Sequence, residues 1–175
     1  MIPKPVQAHV RAAWDALDPK PTGYRHIDPQ QWHVTFVFLG EVPEIRLDEI
    51  TRIIEGWVSQ AEPITFTADG FISFPPTDHR YLAAHLDSAN MEKVAASIED
   101  LRVRLTEIVP TLDSKPWLPH ISIQKAFRDA MLFSWKQSMP SIEWNPEELV
   151  LAKSAPGNVG STYTVLRRFN LPRSS

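Results

Sequence analysis

Apolar positions change their period several times along the chain, and each change marks an element. Val6, Val10, Ala13, Trp14 and Leu17 recur at helical spacing, which predicts an amphipathic helix ending before Pro19. Ile45, Ile50, Ile53, Ile54, Trp57 and Val58 predict a second helix after Pro43, and Val94, Ile98, Leu101, Leu105 and Ile108 a third, the longest, ended by Pro110. Elsewhere the period falls to two. Residues 33–39 predict a strand closed by Gly40, with His33 and Thr35 on one side and Val34, Phe36 and Phe38 on the other. Ile64, Phe66 and Ala68 alternate with Thr65, Thr67 and Asp69, predicting a strand that stops at Gly70. Residues 71–74 lead into a turn at 75–78, and 81–86 predict a further strand. Residues 120–123 predict the next strand, a short helix is expected around 129–137, and 150–153 and 162–169 predict two closing strands around a turn at 156–160. Helices alternate with strands that pair locally, which is an α+β pattern.

Length and charge narrow the possibilities. A chain of 175 residues makes one domain, or two small lobes sharing a core. The absence of cysteine excludes a disulfide scaffold and a thiolate metal site, and fits a cytoplasmic protein. No apolar run approaches a membrane span and the start is not a signal peptide, so no membrane partner is expected. A net charge of −3 argues against a long grip on a nucleic-acid backbone, but not against recognition of one terminal phosphate. The sixteen prolines fall mostly between elements, where they punctuate.

The chemistry concentrates in two echoes, His33-Val34-Thr35-Phe36 and His120-Ile121-Ser122-Ile123, about half a chain length apart. Each is a histidine, an apolar residue, a hydroxyl residue and another apolar residue. An extended backbone buries one side of each and displays an imidazole and a hydroxyl on the other. Two such stretches facing each other make a polar cleft with two histidines. Histidine titrates near neutrality, so one ring can serve as base while the other serves as acid. The hydroxyls can hydrogen-bond charge that develops on a phosphate. The pattern His-x-Ser/Thr is weak alone, and two strand histidines satisfied by their neighbours is the competing account; β-propensity explains Thr35 well and Ser122 poorly. No carboxylate sits at ligand spacing, so no metal is expected. His79 and His85 match nothing, and the tryptophans read as packing.

Residues 25–42 resemble, along their length, the first motif block of the 2H phosphoesterases, and within them the RNA 2′,3′-cyclic phosphodiesterases, also called 2′-5′ RNA ligases. Residues 161–169 resemble that family's closing strand. The resemblance covers nearly the whole chain. It implies a single two-lobed domain, with pseudo-symmetric lobes whose antiparallel sheets line a central cleft and whose helices lie outside. It implies His33 as acid, His120 as base, and Thr35 and Ser122 as donors to the phosphate. Lys125 stands where the family commonly has arginine, so phosphate contact is expected there through a point charge rather than a fork. Tyr163 resembles a family aromatic near the site. Arg25, His26 and Phe74 lie on loops expected to border the base or ribose.

The implied reaction is metal-independent, needs no cofactor, and opens an RNA-terminal 2′,3′-cyclic phosphate to a 2′-phosphate, with 2′-5′ ligation as its reverse. The expected partners are RNA 3′ ends or nucleotides carrying a cyclic phosphate, met by a monomer. The alternatives are a phosphodiesterase for another small cyclic nucleotide and a non-catalytic module that binds nucleotides or RNA ends. One departure stands out. Family members usually begin with a strand before the proline that opens the first helix, whereas this chain reads Met1-Ile2-Pro3. A sheet short of that strand would leave backbone groups unpaired.

Overall fold

The computed structural model describes residues 1–110, 112, 115–157 and 161–173. Three of the four expected helices form, each with its apolar stripe inward. Helix α1 (Lys4–Asp15) carries Pro5 in its first turn, where a missing N–H costs nothing, and buries Val6, Val10 and Trp14. Trp14 packs edge-on against Phe71 at 5.3 Å and Trp135 at 6.1 Å. A 3-10 turn at Glu44–Arg46 leads into α2 (Leu47–Val58), whose first turn places Asp48 and Glu49 at the positive end of the helix dipole. Helix α3 (Met91–Thr106) turns Val94, Ile98, Leu101 and Leu105 inward. The indole of Trp57 on α2 donates to the Ser97 carbonyl at 2.8 Å and ties the two helices together. Among the described residues, no helix is long and apolar enough to cross a membrane.

The strands make two antiparallel sheets. The larger holds β1 (Tyr24–His26), β2 (Phe66–Phe74), β3 (Tyr81–Asp87), β4 (His120–Ala126) and β5 (Lys136–Trp144) in the order β1-β4-β3-β2-β5. The smaller is the pair β6 (Glu148–Pro156) and β7 (Ser161–Asn170). The core includes Phe66, Phe71, Leu82, Ile121 and Ile123 from the larger sheet, together with the inward faces of the helices. The α+β class is as expected. The two sheets are unequal, however: one has five strands and the other two.

Two irregularities shape the larger sheet. β2 does not stop at Gly70 but runs past it, with a register shift between Ala68 and Gly70 that leaves Asp69 as an extra residue against β3 and sets it opposite residues 139–141 of β5. Gly70 is needed there because a Cβ would lie 2.7 Å from the Gln137 carbonyl oxygen of β5. In β4 the register shifts between Leu82↔Gln124 and Ala83↔Ser122, so Ile123 is extra. That bulge changes the alternation, and it brings Ser122 and Lys125, three residues apart, to one cleft.

Two further expectations fail. Residues 129–137 form no helix; the chain is irregular up to Trp135 and then enters β5. The Trp135 carbonyl accepts from the Ser73 N–H at 2.9 Å, and the Trp135 N–H donates to the Ser73 hydroxyl at 2.9 Å, so pairing with β2 governs this segment. Residues 33–39 belong to no sheet ladder. Together with Leu149–Ser154 of the smaller sheet they line a mainly apolar groove of about 1030 Å³. The expected alternation breaks accordingly: Phe36 packs on Trp57, Phe66 and Trp117, while Phe38 is 67% exposed. The turn expected at 156–160 lies partly outside the described residues.

Candidate active site

His33 is held without a strand. Asp28 starts a 3-10 turn at Pro29–Gln31 by accepting from the Gln30 N–H at 2.9 Å. Buried Trp32 follows and donates its indole N–H to the Ile27 carbonyl at 3.1 Å. Anchored by that turn and that indole, the next residue, His33, points its Nδ1 to the Gln31 carbonyl at 2.7 Å. His120 opens β4, and its Nδ1 meets the Leu118 carbonyl at 2.8 Å. Both motif histidines are therefore tethered to the carbonyl two residues upstream. The echo seen in sequence recurs as geometry, although only one copy lies in a strand.

The tethers settle the tautomers. A carbonyl only accepts, so each Nδ1 carries the hydrogen and each neutral ring keeps its lone pair on Nε2. Both rings line one cleft of about 560 Å³ between the larger sheet and β7. Burial lowers the pKa of His120, with the nearby positive charge of His33 as a second cause; the Leu118 carbonyl acts in the opposite direction.

The remaining expected residues gather at the same cleft. Thr35 and Ser122 line it, and the Thr35 carbonyl accepts the Trp117 indole N–H at 2.8 Å. Lys125 lines it with its Nζ 5.4 Å from the centre of the Tyr81 ring. Tyr163 lines the same cleft, is 46% exposed and so lies outside the core, and meets the His33 ring edge-on at 4.9 Å. His26 and Arg25 border the cleft from β1, the His26 ring resting 3.1 Å from the Gln124 side-chain nitrogen. Phe74 is also present, but its ring is stacked on His120 at 3.7 Å. Sequence reasoning missed that stack and both backbone tethers. The tethers have no side-chain signature, and the stack depends on two strands that are not adjacent in the sheet. Among the described residues, no group of three or more His, Cys, Asp or Glu is arranged to hold a metal ion.

Comparisons with known proteins point one way. Residues 2–158 match the family described as the 2′-5′ RNA ligase superfamily. An RNA 2′,3′-cyclic phosphodiesterase of Thermus thermophilus is 27% identical, over 97% of this chain and 86% of that protein. The crystal structure of TT0787, also of Thermus thermophilus, superposes with a TM-score of 0.80 at 24% identity, covering 99% of this chain and 96% of the other. Escherichia coli LigT complexed with 3′-AMP superposes at 0.75 and 19% identity, covering 99% and 95%.

Proposed function

We propose, because the chain belongs to the 2′-5′ RNA ligase superfamily and is an enzyme acting on phosphodiester bonds, that it hydrolyses RNA-terminal 2′,3′-cyclic phosphates to 2′-phosphates. The observation that carries this reading is the pair of Nδ1-tethered imidazoles with free Nε2 atoms in one cleft. His120, whose lowered pKa keeps it neutral near pH 7, is the base. Its Nε2 takes a proton from the water that attacks phosphorus. The bond from phosphorus to O3′ breaks on the opposite side, and His33 donates its Nε2 proton to the departing O3′. Thr35 and Ser122 donate to the non-bridging oxygens, and Lys125 offsets their charge.

No step requires a metal. The expected 2′-5′ ligation is not the reverse of this hydrolysis but the same displacement with a 5′-hydroxyl in place of water: its oxygen attacks phosphorus, its proton goes to His120, and O3′ leaves with the proton of His33. The partners are RNA 3′ ends or nucleotides bearing a cyclic phosphate. We propose further that the protein works as a monomer in the cytoplasm.

The test is hydrolysis of a 2′,3′-cyclic nucleotide in EDTA by the wild type, His33→Ala and His120→Ala. Wild-type turnover with a loss of about 10²–10⁴-fold in each variant is expected. Binding without turnover at any pH would identify a binding module instead. Loss in only one variant would mean that the two motifs do not form one site.

A further inference from the structure

Phe74 ends β2, and the reaction above makes no use of it. Its ring lies nearly parallel to the His120 imidazole, with centroids 3.7 Å apart and planes at 25°. β3 separates the two strands. Between the pair, on β3, stands Ala83, which partners Ile72 of β2 on one side and Ser122 of β4 on the other. Ala83 is fully buried. A methyl group there leaves room for two rings to converge above β3; a longer side chain would hold them apart.

The end of β2 is itself fixed from behind. The Ser73 hydroxyl, 3.1 Å from the His79 Nδ1, also accepts from the Trp135 N–H at 2.9 Å. The Tyr24 hydroxyl donates to the His79 carbonyl at 3.1 Å. His79, to which the sequence assigns no role, thus pins the loop that follows Phe74.

A ring tethered at one nitrogen still pivots about that hydrogen bond. Carrying Nε2 to one place needs a second constraint on the ring plane. We propose that Phe74 is a positioning residue for His120: it covers one face of the imidazole and, with the Leu118 carbonyl, fixes the direction of Nε2 toward the attacking water. The face of Phe74 that lies on His120 is then closed to a nucleobase. The proposal rests on the reaction described above, and it replaces the expectation that Phe74 borders the base.

The experiment compares wild type, Phe74→Leu and Phe74→Tyr on two substrates: a nucleoside 2′,3′-cyclic phosphate and 1-O-methylribose 2′,3′-cyclic phosphate, which has no base. In the leucine variant kcat should fall on the order of 10–100-fold on both substrates with KM little changed, and tyrosine should restore most of it. A rise in KM confined to the base-bearing substrate would make Phe74 a stacking platform and overturn the proposal, as would an unchanged kcat. The stack also has a readout independent of turnover. The His120 ring protons, assigned with His120→Gln, should show an upfield ring-current shift in wild type that disappears in Phe74→Leu while the other histidine signals stay in place. Absence of that shift in wild type overturns the proposal even if the enzyme is active. If wild type turns over neither substrate, the proposed reaction fails, and the ring-current shift still decides whether Phe74 holds His120.

Discussion

Two imidazoles with the same tether become unequal through their surroundings. His33 meets the edge of the exposed Tyr163 ring, while His120 lies flat under Phe74. Burial then lowers the His120 pKa below the usual imidazole value of about 6.5, and the charge of His33 lowers it further. The sign follows from the role. A base works only when deprotonated, so under the proposed roles activity should be lost as pH falls through the pKa of His120. The acidic limb of kcat/KM should therefore lie below pH ~6.5, and the alkaline limb should report loss of the acid. A pH-rate profile in EDTA checks this. An acidic limb clearly above that value would assign the base to a less buried group, and the roles of the two histidines would have to be exchanged.

At the scale of elements, the clearest constraint is where β2 and β5 meet. A methyl group at Gly70 would press on the Gln137 carbonyl at 2.7 Å, and backbone cannot swing away as a flexible side chain does. Gly70→Ala should destabilise the fold by about 1–3 kcal/mol, seen as a lower midpoint in denaturant unfolding with the active site intact. The same register explains what the sequence can and cannot reveal. The helices are legible because each buries one stripe, as Val6, Val10 and Trp14 do on α1. The β2–β3 and β6–β7 pairs are legible because each joins strands close in the chain. Residues 33–39 mislead because their alternation describes a strand, whereas a strand exists only with a partner beside it. With none paired there, Val37 and Leu39 pack against the core and Phe38 faces solvent. Residues 136–144 mislead because their pairing with β2 spans some seventy residues, beyond any local pattern. Of the site, the motifs disclose which side chains gather. Their tethers, the bulge that brings Lys125 beside Ser122, and the Phe74 stack arise from backbone carbonyls and sheet register, which residue types do not encode.

For the whole molecule, the question is how a chain with 18 basic and 21 acidic side chains would take the RNA end that the proposed reaction requires. Arg25 and Lys125 are directly paired across β1 and β4 and border the cleft with both histidines, so positive charge is local in a chain that is negative overall. Such a surface can hold a terminal phosphate and one neighbour, but it has no excess charge with which to follow a strand. Each phosphate neutralised on a single strand contributes about −0.7 to the slope of log affinity against log salt. Contact with one or two phosphates therefore predicts a slope of log kcat/KM against log salt no steeper than about −1.4. Lengthening the RNA beyond a few nucleotides should leave that slope unchanged, because the added phosphates meet a surface that does not attract them. Salt titrations with a cyclic mononucleotide and with a cyclic-phosphate-ended oligonucleotide measure both slopes. A slope that steepens with each added nucleotide would show that the protein grips the strand, and that net charge misjudged how much RNA it reads.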